Sequence, residues 1–207
     1  MDNIKILKQA FTLAEVLITL GIIGIVAAMT VPTLIANIQR KNYTTKLKKF
    51  YSTMNQAVIS AEDEFGAISD WDFKIPPNKF VETYFGPYLK FSILNSNNNE
   101  NNQSADIIFS DGSTLKIYRG NCMDLYLDLN GDKKTNKFGY DKFAFLACDK
   151  NYAKAHCGEE VSFCTYGFEN IRLSRAKSLE ICKTLPVTCS TLLKFDNWEF
   201  NKDYPYK

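Results

Sequence analysis

Glu15 sits where a charge is expensive. From Phe11 to Val31 the chain reads FTLAEVLITLGIIGIVAAMTV, and that carboxylate is the single ionisable side chain in the run. As a helix the run covers roughly 30 Å at ~1.5 Å per residue, enough to cross a bilayer core. A carboxylate at the centre of such a span costs about 2.5–3.5 kcal/mol on the lenient insertion scale, and less near an end. A buried charge is tolerated when it is paired, so Glu15 needs a partner. Two other groups could do chemistry. Cys122, Cys148, Cys157, Cys164, Cys182 and Cys189 all lie in the second half of the chain, and DLNGDKKTNKFGYD, Asp128 to Asp141, is dense in side-chain oxygens.

An even cysteine count behind an apolar N-terminus points to disulfides in an oxidising compartment. Zinc would want paired ligands at short spacing, which the gaps 157 to 164 and 182 to 189 do not supply, and His156 is the chain's one histidine. Sequence alone does not choose among the pairings that six cysteines allow. One candidate set is short-range: Cys122 with Cys148, Cys157 with Cys164, and Cys182 with Cys189. In the oxygen-rich loop, Asp128, Asn130 and Asp132 hold the first, third and fifth places of a calcium loop, and Asp141 follows. Lys133 and Gly139 stand where an EF-hand needs glycine and glutamate. Calcium binding and a tight Asn130-Gly131 turn whose side chains bond their own backbone are both open. No Ser/His/Asp grouping and no glycine-rich phosphate loop is evident, so an enzyme is not expected. His156 reads as a surface or disulfide-loop residue rather than a general base.

Three readings compete for the apolar run: a secretory signal peptide with small residues at 26–28, an ordinary membrane anchor, or a leader cut just before Phe11. The first two have no use for Glu15. A cut between Ala10 and Phe11 would create an α-amine four residues before Glu15, and amine and carboxylate on neighbouring copies can neutralise each other. The stretch FTLAEVLITLGIIGIVAAMTVPTL resembles the N-terminus of type IV pilins and of the pseudopilins of type II secretion. The resemblance is carried by Phe11, Thr12, Leu13, Glu15 and Pro32 with basic leader residues Lys5 and Lys8. It implies cleavage by a prepilin peptidase, N-methylation of Phe11, and a glutamate that steers the subunit into a helical filament. Family members usually carry glycine before the cut, where this chain has Ala10.

The resemblance also implies an α+β fold: a long N-terminal helix on a small antiparallel β-sheet head. The expected organisation is a leader over 1–10, a transmembrane or filament-core helix over 11–32, an amphipathic helix over 33–66 and a disulfide-rich head over 67–207. Pro32 lacks an N–H and predicts a kink. Leu47, Phe50, Tyr51, Met54, Val58, Ala61 and Phe65 form one apolar stripe at helical spacing, opposite Lys46, Lys48, Lys49, Asn55 and Glu62. Gly66 is the expected stop. If unbroken, residues 12 to 65 make a helix of roughly 80 Å.

Beyond it, IPPNKF (75–80) reads as a loop and SNNNENNQS (96–104) as a polar linker. Ile107–Phe109 and Thr114–Tyr118 flank Asp111-Gly112 as a hairpin. Residues 122–129 and 142–148 alternate as strands, and 190–200 reads as a last hairpin turning at Asp196-Asn197. Between 150 and 189 only Ile171–Leu185 has a helical pattern, stopped by Pro186.

Bulk charge argues against a nucleic-acid protein, because 25 basic residues face 23 acidic ones for a net +2 over 207 residues. The basic run Arg40, Lys41, Lys46, Lys48 and Lys49 reads as a solvated face beside lipid head groups rather than a nucleic-acid patch. It outnumbers Lys5 and Lys8, so the positive-inside rule would place the C-terminal side in the cytoplasm. The cysteines and the family resemblance place the head outside, and these prevail here.

The expected function is a structural subunit, pseudopilin or minor pilin, in an inner-membrane-assembled pilus or secretion filament. Its partners would be other pilin or pseudopilin subunits, prepilin peptidase, the inner-membrane assembly machinery and membrane lipid. The alternative is a membrane-anchored extracytoplasmic binding protein that does not polymerise.

Overall fold

A computed structural model describes residues 12–95, 103–131, 135–158, 163–167 and 174–206. Helix α1 runs Leu13–Phe65. Gly66 ends it with φ +79°, a left-handed conformation natural to glycine at a helix C-terminus, and its N–H bonds to the Glu62 carbonyl at 3.0 Å. The chain divides into two compact units, Met1–Asn42 and Tyr43–Lys207.

In the first unit, the helix carries apolar side chains on all sides and they are exposed, from Leu13 at 77% to Val31 at 46%. A helix apolar all round is stable only where something non-aqueous surrounds it. This one is long and apolar enough to cross a membrane. Its hydroxyls are satisfied internally: Thr19 Oγ1 donates to the carbonyls of Glu15 and Val16, and Thr30 Oγ1 to that of Val26, each at 2.9 Å. Internal satisfaction is what a lipid environment demands. The helix continues through Pro32. The missing N–H there removes the bond to the Ala28 carbonyl without ending the element.

The second unit is a six-stranded antiparallel meander against the remaining length of α1. The strands are β1 (Phe91–Asn95), β2 (Ser104–Phe109), β3 (Thr114–Arg119), β4 (Cys122–Asp128), β5 (Lys142–Cys148) and β6 (Phe163–Thr165), paired in chain order. Period-2 alternation puts Leu115, Ile117, Met123, Leu125, Leu127, Phe143 and Phe145 on one face, all buried. The stripe Tyr43, Leu47, Phe50, Met54, Ala57, Val58 and Ala61 belongs to the same core. Phe50 meets Phe145 at 5.0 Å between ring centroids, and Tyr51 meets Trp198 at 4.8 Å. Gly112, at φ +79°, turns β2 into β3.

The smaller elements are α2 (Pro77–Phe80) with a wide turn over Val81–Phe85, α3 (Lys150–His156), α4 (Arg175–Thr184) and α5 (Cys189–Phe195). Several depart from the sequence reading. The segment read as a loop at 75–80 becomes helical at Pro77, a residue well suited to a helix's first position. Ser104, read as linker, opens β2; residues 96–102 of that linker lie outside the described residues. The hairpin read at 190–200 is helix α5 followed by a left-handed turn at Asn197 and Trp198, with φ of 52° and 65°. Tertiary packing decides it, because Leu192 and Leu193 are both fully buried although adjacent, which a strand with one solvent face does not allow. α4 starts from Ser174, whose side chain accepts from the Lys177 N–H; the expected first helical residues, 171–173, lie outside the described residues.

Lys46 also departs from the solvated face assigned to it. Its ammonium donates to the carbonyls of Leu129 (2.7 Å) and Asp111 (3.0 Å), tying α1 to the loops at the ends of β2 and β4. Lys48 pairs with Glu199 at 2.6 Å. Of the basic run, Lys46 therefore ties head elements together, while Lys48 makes an exposed ion pair of small energetic weight.

Candidate functional site

Glu15 is the first candidate, and its local setting was not read from the sequence. Thr12 precedes the helix, and its Oγ1 accepts from the Glu15 N–H at 3.2 Å. Glu15 Oε2 accepts from the Thr12 N–H and from Thr12 Oγ1, both at 2.8 Å. This is a capping box, in which the residue before the helix and the third helical residue satisfy each other's orphan donors. The T-x-x-E spacing of Thr12 and Glu15 carried the signal. One carboxylate thus has two jobs open to it: closing the helix start, and offering negative charge at an exposed apolar surface. Ala10 and Phe11, the expected cleavage and methylation positions, lie outside the described residues.

The cysteines form three disulfides, Cys122–Cys148, Cys157–Cys164 and Cys182–Cys189, the short-range set given above. Sheet register explains the first, because Cys122 lies directly opposite Cys148 across β4 and β5, with Cα atoms 4.3 Å apart. The second lies in a small apolar cluster with the first, on the sheet face away from α1. The third joins α4 to the start of α5. Such bonds each stabilise a domain by about 2–4 kcal/mol.

The loop from Asp128 to Asp141 is built around one carboxylate. Asp141 is fully buried. Its Oδ2 accepts from Asn130 Nδ2 (3.0 Å) and from the Thr135 hydroxyl, and its Oδ1 accepts from the Lys137 N–H (2.6 Å). Asn130 Nδ2 also reaches the Tyr43 hydroxyl of α1 at 3.2 Å. From the C-terminal segment, the Tyr204 hydroxyl donates to the Gly139 carbonyl at 2.6 Å. Gly139 has φ +81°, and a Cβ there would lie 2.5 Å from the Tyr206 ring. Asp128 is buried too, accepts from the Asn130 N–H at 3.1 Å, and has its carboxyl pushed above the usual range by that burial. Asp128, Asn130 and Asp141 are therefore brought together, while Asp132 lies outside the described residues. Calcium takes roughly six to eight oxygens. Asp141 already accepts three donors, the buried Asn130 Oδ1 has no partner among the described residues, and no group of three acidic, histidine or cysteine side chains among them could hold a metal. What they do offer is a cross-brace between β4, β5, α1 and the C-terminal segment.

An apolar helix with one carboxylate at its start, running into an α+β head with a six-stranded antiparallel sheet, is the architecture of a type IV pilin-like protein. The prokaryotic N-terminal methylation motif matches residues 7–31. Over residues 33–207 the chain belongs to a family of unknown function, DUF6613. No curated protein matches it, and no solved structure does.

Proposed function

We propose that this chain is a structural filament subunit, a pseudopilin or minor pilin of a type II secretion or type IV pilus system. Prepilin peptidase cuts between Ala10 and Phe11 and methylates the new amine. The apolar helix first anchors the subunit in the inner membrane, with the head outside the cytoplasm. On assembly the helix moves from lipid into the filament core, and Glu15 meets the Phe11 amine of a neighbouring subunit. The work is packing and charge pairing, not catalysis. The observation that carries this reading is the methylation motif over residues 7–31, within which the exposed apolar start of α1 holds Glu15 as its single carboxylate as far as Val31.

The capping box makes the test sharper. Glu15→Ala removes both charge and cap, whereas Glu15→Gln keeps a cap and removes only the charge. Both variants should insert in the membrane, and both should be missing from sheared filaments of the native host. If Glu15→Gln assembles at the wild-type level, charge pairing is not the mechanism. If wild-type chain never enters a filament, the non-polymerising anchored binding protein takes its place.

A further inference from the structure

On the sheet face away from α1 lies a cavity of about 330 Å³ with Asp124, His156, Leu146 and Tyr166 in its wall. Asp124 stands opposite Tyr118 on β3 and Leu146 on β5. One row along, Ala144 separates Tyr126 from Tyr166, whose N–H bonds to the Ala144 carbonyl at 2.9 Å. Because alanine is small, the two tyrosine rings approach across it, with centroids 6.5 Å apart, and Tyr118 adds a third ring 5.4 Å from Tyr126. The Tyr126 hydroxyl lies 3.3 Å from Asp124 Oδ2. Among the described residues no salt bridge reaches Asp124; His156, in the same wall, is its one cationic neighbour and acts on it through space, lowering its carboxyl by less than burial raises it. Burial pushes its carboxyl above the usual range, and both Tyr126 and Tyr166 are raised as well, Asp124 adding to each.

We propose that this cavity binds a small organic ammonium group, held by Asp124 beside the ring of Tyr166. A half-buried carboxylate with no salt bridge is costly to keep, and an incoming positive charge placed closer than His156 reduces that cost. Electron-rich rings attract the same charge through their faces, and weakly hydrated alkylammonium ions suit them best. A hard metal ion would need many oxygens, whereas the wall supplies one carboxylate, the Tyr166 phenol, the His156 imidazole and the apolar side chains of Leu146 and Leu185. The volume lies at the small end of ligand pockets, the size of a methylated ammonium group rather than a drug-sized molecule. The same chemistry is carried by a free quaternary amine and by the lysine side chain of a partner. This binding does not depend on the filament reading.

The test uses the full chain in maltoside micelles, since choline-headed detergents carry the probe's own chemistry. Tetramethylammonium chloride is titrated against a sodium chloride control, with binding read from saturation transfer to the probe's methyl protons. The neutral isostere tert-butanol and N-acetyl-lysine methylamide are titrated in parallel. Saturable tetramethylammonium binding is expected, weakened about tenfold by Asp124→Asn and severalfold by Tyr166→Leu, with far weaker binding of tert-butanol. Tighter binding of the lysine derivative than of tetramethylammonium would assign the site to a protein side chain, and the reverse order to a free quaternary amine. Absence of saturable binding, equal binding of tert-butanol, or unchanged affinity in Asp124→Asn would overturn the proposal. Should Asp124→Asn fail to fold, Tyr166→Leu, with its native disulfides checked by mass, decides alone: wild-type affinity in that variant refutes the site.

Discussion

Replacing Asp141 should destabilise the head more than replacing any exposed acid. In Asp141→Ala, the Thr135 hydroxyl and the Lys137 N–H lose this acceptor at a fully buried position, and Asn130 Nδ2 keeps only the Tyr43 hydroxyl. Hydrogen bonds to a charged group contribute about 1.5–3 kcal/mol each. Three would total about 4.5–9, but removing the buried carboxylate also removes its desolvation cost, and a surface loop can admit water. The net expectation is a loss of about 3–5 kcal/mol. For a domain of this size that corresponds to a fall of roughly 6–20 °C in Tm. Asp141→Asn keeps one acceptor oxygen and should lose about half as much. Urea denaturation followed by fluorescence of Trp71 and Trp198, both in the head core, measures it, with exposed Glu82→Ala as the control expected within about 0.5 kcal/mol. A loss below about 1 kcal/mol in Asp141→Ala would show that the carboxylate does not organise the loop, and the hydrogen bonds named above would have to be assigned differently.

Two further outcomes follow from the ties between elements. Lys46→Met should cost about 1–3 kcal/mol, because two carbonyls lose a charged donor, while exposed Lys49→Met should stay within about 0.5; equal urea midpoints would refute the tie. Asp203 lies under Arg175, whose Nη1 and Nη2 each donate to it at 2.8 Å and hold its carboxyl below the usual range. Its folded value being depressed, the contribution is present above the unfolded aspartate value of about 3.9 and is lost as pH falls through the folded one. Asp203→Asn should therefore flatten the acid limb of Tm against pH, and an unchanged limb would contradict the assignment.

The elements legible in the sequence are those whose pattern and packing agree. The stripe from Leu47 to Phe65 and the alternation of β3, β4 and β5 bury the residues their periods select, with Phe65 at the stripe's end the more exposed exception. Segment 190–200 is helical against its strand-like pattern because the core receives the adjacent Leu192 and Leu193 together. Strands β1 and β6 are short edge strands, recruited by neighbours rather than by their own pattern. The T-x-x-E spacing of Thr12 and Glu15 is a capping-box signal, but inside an apolar run the cost of the charge masks the local donors that satisfy it. The function of Lys46 was not legible at all: a lysine beside an apolar stripe looks the same whether its ammonium meets water or two carbonyls that arrive from residues 111 and 129.

The filament reading depends on a new amine at Phe11, and intact-mass analysis of the protein purified from native membranes measures that amine directly. The predicted species starts at Phe11, carries one methyl group on its α-nitrogen, and retains three disulfides. A mature chain that still begins at Met1, or one cut beyond Val26 as a secreted protein would be, contradicts it.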